Sequence, residues 1–301
     1  MKIAAAESAF EGFRLVRREP RTVLWWTLLY FVFAVIQLGA IYLNRENVAA
    51  GLAVIESFGD RMPSTAEDFN RLMAGYNQST SHGLMLLPIA LIIGSVFSAA
   101  VARAVLFPED KTYGYLRLGM DEVRVLLVTI AIALLSGLAF GVAIIAVSVL
   151  IAIAAIFPPV WILVALGFLA AIALFVWLLV KWSLAVPIVL TEKRLALFES
   201  FKATKGNFWS LLGLAIIAGV LGMVVWGLSL VVVMPISMLS GLGPMGAGSV
   251  SEELLANLTA SSPLLLLSAA ANAIVSAMVV GVIYAPFSAV WRDIKAARER
   301  T

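Results

Sequence analysis

Six long stretches of this chain carry almost no charged residue, and each is long enough to cross a bilayer as a helix. We predict membrane spans at about 22–43, 83–106, 125–156, 160–190, 208–239 and 263–291. The stretches are apolar on every side instead of alternating with polar residues, which argues against barrel strands. Backbone groups in lipid must then bond within each segment, as they do in a helix. The sequence therefore predicts an all-α polytopic membrane bundle of six transmembrane helices, with residues 1–301 forming a single membrane domain.

The composition excludes several classes of protein. Hydrophobic residues make up 62% of the chain and charged residues 13%, which excludes a soluble enzyme, a disordered tail and a nucleic-acid module. The chain has no cysteine, so disulfides, iron–sulfur clusters and thiol chemistry are excluded. It has one histidine, which excludes a site built from several histidines. We therefore expect no metal, no cofactor and no nucleic-acid partner.

Lys and Arg residues are divided unevenly between the two ends of the spans. Of the 21 such residues, 18 lie before the first span, after the sixth, or at and beyond the final residues of the second and fourth spans. The opposite ends carry only Arg45, Arg61 and Arg71. Because positively charged segments stay on the cytoplasmic side, we predict that both termini are cytoplasmic. A strong bias of this kind favours the inner membrane of a bacterium.

The outer loop, residues 44–82, carries a pattern typical of an amphipathic helix. Its apolar residues follow the i, i+3, i+4, i+7 spacing and are Phe69, Leu72, Met73 and Tyr76. This spacing places them on one helical face. We predict that the helix lies on the outer surface or covers the bundle.

Two cytoplasmic segments, 1–21 and 195–207, each predict a short helix at the membrane interface. Their basic residues are Arg14, Arg17, Arg21, Lys202 and Lys205. Such residues either bind anionic lipid headgroups or anchor the topology. Phe10-Glu11-Gly12-Phe13 aligns with Phe198-Glu199-Ser200-Phe201 at an offset of 188, which also places the second span over the sixth. This predicts a parallel internal repeat, although any cytoplasmic helix that enters a membrane favours aromatic and basic residues.

Polar residues within the spans are few. Arg103 and Lys181 lie near the cytoplasmic ends of the second and fourth spans, where long side chains extend to the interface, so we predict that both contact lipid headgroups. Asn272 lies near the middle of the sixth span. It either bonds to a neighbouring helix, with Gln37 or Ser136 as its partner, or binds a ligand.

Templates for catalysis are not met. The acidic pairs Glu109-Asp110, Asp121-Glu122 and Glu252-Glu253 fall in predicted loops, and we expect no histidine or arginine clamp beside them. His82 stands alone at the outer end of the second span. No phosphate-binding loop, nucleophile elbow or metalloprotease motif occurs. We therefore expect a protein that is not an enzyme.

The connection between the fourth and fifth spans carries a resemblance to known membrane proteins. It reads PIVLTEKRLALFESFKATKGNFWSLLGL, and the matching residues are Pro187, Ala196, Ser200, Lys205, Gly206 and Trp209. This segment resembles the glycerophosphoryl diester phosphodiesterase membrane domain and the related YciC-like and DUF975-like families. The activity in the first name resides in a separate catalytic domain. The resemblance therefore implies a six-helix inner-membrane protein in envelope or lipid homeostasis, without that activity.

Three functions remain open from the sequence. The first is an accessory or scaffold protein in envelope or membrane homeostasis, with a membrane protein or a second copy as its partner. The second is a carrier or flippase for a lipid or hydrophobic solute. The third, an enzyme acting on lipid, would need a carboxylate or histidine pair at one interface, and the sequence offers no such pair. In each case the expected partners include membrane lipids with anionic headgroups.

Overall fold

The computed structural model describes residues 5–59, 61–239 and 263–299, which form helices and no strand. The helices, in chain order, are α1 (Ala5–Ala9), α2 (Glu11–Arg18), α3 (Pro20–Leu43), α4 (Arg45–Phe58), α5 (Ala66–Leu106), α6 (Met120–Ile156), α7 (Trp161–Trp182), α8 (Ala185–Glu192), α9 (Glu199–Ala203), α10 (Phe208–Leu239) and α11 (Pro263–Arg298). Two 3₁₀ turns, Thr112–Tyr115 and Pro158–Val160, precede α6 and α7.

The predicted fold class is confirmed. In the described part of the chain, six helical segments are long and apolar enough to cross a membrane. They are Pro20–Leu43, Ala66–Leu106, Thr112–Ile156, Pro158–Glu192, Phe208–Ile236 and Pro263–Arg298. The chain is therefore an all-α, multi-pass membrane protein with six spans.

Segment 44–82, which the sequence predicts to be an outer loop, is mostly helical, and its second helix is continuous with the second span. Helix α5 begins at Ala66. At this end of the helix the Asp68 amide donates to Thr65 Oγ1 over 3.0 Å. The helix then continues to Leu106 without a break. Gly75, Gly83 and Pro88 all lie inside it. The predicted amphipathic helix is thus the first part of α5 and not a separate surface element.

The connection after the fourth span contains fewer helical residues than the sequence pattern predicts. Helix α7 ends at Trp182, a turn follows, and α8 continues to Glu192. The predicted interfacial helix at 195–207 contains only the five residues of α9. Gly206 has a φ of +84°, a conformation that glycine adopts without steric cost. It lies in the turn between α9 and α10.

Close packing divides the chain into two compact units. The first unit contains Met1–Leu15, Ser95–Gly219 and Ile283–Thr301, and the second contains Val16–Gly94 and Val220–Val282. In the second unit, α4 approaches α5 so closely that a Cβ atom at Gly51 would lie 2.5 Å from the Ser79 nitrogen. Small residues permit such close helix packing in membranes.

In the first unit, α6 and α7 form a helical hairpin around the turn at Pro158–Val160. Val147 and Ala154 of α6 pack with Val164 of α7. A Cβ atom at Gly167 would lie 3.2 Å from the Val147 side chain, so glycine permits this contact. The hairpin supplies two walls of the site described next.

Candidate functional site

Arg103 lies inside the first unit. Its side chain is only 9% exposed, and its guanidinium forms an ion pair with the Glu122 carboxylate. It also donates to the Tyr115 carbonyl over 3.3 Å and lies 3.9 Å from Asp121 Oδ2. The sequence prediction placed Arg103 at the lipid interface, but the buried carboxylate of Glu122 holds it within the protein instead.

The Asp121-Glu122 pair does have arginines beside it. Both residues lie in the first turn of α6, where the helix dipole favours negative charge. Glu122 Oε2 accepts from the Gly119 amide over 2.9 Å, and Arg124 donates to Asp121 Oδ1 over 2.6 Å. The expectation that this pair lies in a loop without an arginine is therefore corrected. Two cations and two carboxylates form a balanced cluster.

A left-handed turn brings this cluster together. Tyr113, Gly114 and Tyr115 have φ values of 51°, 65° and 65°. For a residue other than glycine this conformation costs about 1–2 kcal/mol. Tyr115 is fully buried, and its hydroxyl donates to the Pro108 carbonyl over 3.0 Å. These contacts hold the turn, which carries the Tyr115 carbonyl to Arg103.

Lys181, the second cation near a span end, has different surroundings. Its Nζ lies 5.8 Å from the centroid of the Trp177 ring and 5.9 Å from that of the Phe201 ring. Within the described residues, no carboxylate lies within ion-pair distance of this ammonium. Aromatic faces stabilise a cation but do not neutralise it. Lys181 is therefore available to an external anion.

Helix α9 supplies the ring that covers Lys181. The Ser200 hydroxyl donates to the Lys181 carbonyl over 2.5 Å, which fixes α9 against the end of α7. The Phe201 ring also makes edge contacts with the rings of Trp177 and Trp182, at 5.7 and 5.6 Å between centroids. Phe201 thus contacts both Lys181 and its neighbour Trp182.

Arg194 anchors the start of α9. It lies 2.7 Å from Glu199 Oε1 and 2.7 Å from Glu192 Oε2. Partial burial, together with the hydrogen bond and negative charge of Glu192, raises the pKa of the Glu199 carboxyl above its ordinary value. The two carboxylates and Arg194 tie the chain before α9 to α8.

A cavity of about 390 Å³ opens beside Trp182 within the first unit. This volume lies within the range of small-molecule sites. Its walls are apolar, with side chains such as Phe175, Leu178 and Phe287. Hydroxyl groups are distributed among these walls on Ser98, Thr129, Ser136, Ser183, Tyr284 and Ser288. The lining contains no charged residue and no histidine.

Trp182 is the most distinctive group in the lining. Its indole Nε1 is buried and has no hydrogen-bond partner within the described structure. A buried donor without an acceptor is costly, so each such group calls for an explanation. The nitrogen itself has almost no accessible surface, so it is the ring of Trp182, and not its N–H group, that forms part of the cavity wall. Apolar walls with scattered hydroxyl groups are suited to the chain and the oxygen atoms of an amphiphile.

The basic residues of the two interfacial segments lie outside this cavity lining. Arg14, Arg17, Arg21, Lys202 and Lys205 are all exposed. The two segments share a burial pattern at the offset of 188. Gly12 and Ser200 are both buried, and so are Leu15 and Ala203. This agreement is consistent with the parallel repeat, which stays a prediction.

Asn272 and Gln37 belong to the second unit and are half-buried. Asn272 Nδ2 donates to the Ser268 carbonyl of its own helix over 2.9 Å. This bond lies within α11, so it is not the bond to a neighbouring helix that the sequence suggested. Ser136, proposed as a partner for Asn272, lines the cavity of the first unit instead.

Sequence reasoning missed the cavity and the role of Trp182. Nothing in the local sequence of Trp182 indicates that its ring lines a cavity or that its indole N–H group lacks a partner. Glu252-Glu253, the remaining acidic pair, lies outside the described residues. Comparison with protein-family models, curated proteins and solved structures finds no match. The resemblance to the glycerophosphoryl diester phosphodiesterase membrane domain therefore stays a prediction.

Proposed function

We propose that this protein is a non-catalytic membrane carrier that holds a lipid in the cavity of its first unit. The observation that carries this proposal is an apolar space of about 390 Å³ whose walls carry scattered hydroxyl groups. Apolar walls accept an acyl chain, and a hydroxyl group such as that of Tyr284 donates to an ester oxygen. Carrying was one of the functions that the sequence left open.

The chemistry of the lining supports binding over catalysis. General acid–base catalysis needs a side chain that gives or takes a proton near neutral pH. The polar groups of the cavity wall are hydroxyl groups. These groups orient a ligand by hydrogen bonds, so the non-enzymatic function expected from the sequence is the one we propose.

The position of the cavity along the helices supports binding from one leaflet. Its lining residues include Ala102 near the end of α5, Thr129 near the start of α6, and Ser183 just after α7. These helix ends adjoin the Lys- and Arg-rich connections. The positive-inside rule places such connections in the cytoplasm. We therefore propose a bacterial inner-membrane protein with both termini cytoplasmic, and a cavity that takes lipid from the inner leaflet.

A substitution that fills the cavity tests this proposal. Gly219 lines the cavity, and a Cβ atom there would meet nothing within 4 Å. Gly219→Leu should therefore fill the space without displacing the backbone. Gly213 lies earlier on α10 and is not part of the lining. A Cβ atom at Gly213 would also meet nothing within 4 Å. Gly213→Leu is the matched control.

Native mass spectrometry of the protein released from mild detergent reads out the result. We expect a stoichiometric lipid on the wild type and on Gly213→Leu, and its loss from Gly219→Leu. Lipid retained equally by all three proteins would contradict binding in this cavity. A stoichiometric protein partner with no specific lipid would instead support the accessory or scaffold function.

A further inference from the structure

We infer that the lipid in this cavity carries an anionic headgroup, and that the Lys181 ammonium pairs with it. The inference rests on the proposed function, because it names the chemical class of the molecule that the cavity holds. Its basis is the electrostatic environment of Lys181, which is independent of the shape of the cavity.

The first step is the charge balance of the first unit. Three arginines near the helix ends, Arg103, Arg124 and Arg194, each form an ion pair with a carboxylate. Lys181 has only aromatic faces beside it. A cation at the level of the headgroups gains stability from an anionic lipid. The positive charge of Lys181 therefore favours an anion that the protein itself does not supply.

The second step is the position of Lys181 beside the cavity. Lys181 precedes Trp182 and Ser183, both of which line the cavity. The Phe201 ring contacts the Trp182 ring and also lies under the Lys181 ammonium. The cationic site and the cavity wall are thus joined by one side chain. When the headgroup of a lipid binds at Lys181, the rest of the same molecule lies beside Trp182.

The third step is the kind of headgroup. The ammonium donates hydrogen bonds and accepts none, so the ligand must supply acceptors to it. A phosphate diester or a carboxylate supplies negatively charged oxygens to the ammonium. A choline headgroup adds a second cation near Lys181, and like charges repel. The ligand class is therefore an anionic amphiphile, with either a phospholipid or a fatty acid as its source.

A competition experiment tests this inference. The protein in mild detergent is mixed with equal amounts of phosphatidylglycerol and phosphatidylcholine that have the same acyl chains, and bound lipid is counted by native mass spectrometry. We expect a preference of about fivefold for phosphatidylglycerol, which corresponds to about 1 kcal/mol for one basic residue near anionic lipid. Lys181→Met should abolish the preference, and Lys181→Arg should retain it.

Two further variants separate the roles of neighbouring groups. Lys205→Met removes an exposed cation outside the cavity lining, and it should leave the preference unchanged. Trp182→Phe replaces a ring of the cavity wall by a smaller one and changes no charge, so it should weaken the binding of both lipids alike. Should Lys181→Met fail to fold, Lys181→Gln is a polar substitute that also removes the charge. Adding oleate distinguishes the sources, because displacement by oleate would identify a carboxylate ligand.

The outcomes separate failure of this inference from failure of the proposed function. Equal binding of the two phospholipids by the wild type, with loss of both in Gly219→Leu, would overturn the anionic headgroup and leave the carrier function intact. A preference that survives Lys181→Met but disappears in Lys205→Met would also overturn it. Absence of bound lipid from the wild type would overturn both proposals.

Discussion

Arg103 and Lys181 occupy similar places in the sequence, but their surroundings in the fold differ. Each is a lone cation near the end of an apolar span. Arg103 is buried in an ion pair with Glu122, whereas Lys181 lies against the rings of Trp177 and Phe201. One cation is neutralised by the protein, and the other is not.

The difference follows from the segments that come after each cation. After α5 the left-handed turn at Tyr113–Tyr115 leads into α6, whose first turn carries two carboxylates. After α7 the chain leads to α9, which presents Phe201. The comparison teaches that a cation at a span end serves stability when the next segment supplies its counter-ion. Where the next segment turns an aromatic ring towards the cation and its carboxylates pair elsewhere, as Glu192 and Glu199 pair with Arg194, the cation is free to bind an anion.

The largest effect is expected from removing the neutralised cation. Arg103→Met leaves the Glu122 carboxylate buried without its partner, which typically costs about 3–5 kcal/mol. We expect a large fall in the thermal unfolding temperature in detergent. Arg124→Met is the matched control, because Arg124 pairs with Asp121 in a more exposed position, where a pair contributes up to about 1 kcal/mol. Equal effects of the two variants would show that burial of Arg103 contributes nothing.

A double variant is expected to recover much of that loss. Replacing both members of a buried ion pair by apolar residues is often neutral, because no unpaired charge remains. Arg103→Met with Glu122→Leu should therefore be more stable than Arg103→Met alone. Its free energy of unfolding should still be about 1 kcal/mol lower than that of the wild type. The reason is that Glu122 also accepts from the Gly119 amide at the start of α6. Additive losses in a double-mutant cycle would contradict direct coupling between the two residues.

The six spans could be predicted because apolar runs longer than the bilayer core have few alternatives to a membrane helix. The break at Gly206 could be predicted for a local reason, since glycine adopts its φ of +84° readily. The continuity of α5 could not be predicted, because residues 66–82 have an amphipathic pattern that suits either a separate helix or an extension of the span. Only the absence of a break decides between them.

The candidate site could be predicted only in part. Lys181 was singled out as a headgroup ligand from its position in the span, and the inference made from the structure retains that role. The pairing of Arg103 with Glu122 depends on a left-handed turn that contains two tyrosines, and tyrosine is not a residue that signals such a turn. The cavity depends on packing among six helices, α5, α6, α7, α8, α10 and α11, which no local pattern records.

The smallest effect on stability is expected from removing Lys181, the cation that the protein does not neutralise. Lys181→Met breaks no ion pair with a described carboxylate and keeps an apolar chain over the aromatic rings, so the free energy of unfolding should change by less than about 0.5 kcal/mol. Added phosphatidylglycerol should raise the unfolding temperature of the wild type, because a ligand that binds only the folded state stabilises it. It should raise that of Lys181→Met less. A loss as large as that of Arg103→Met would mean that Lys181 also serves the fold, and the distinction between the two cations would fail.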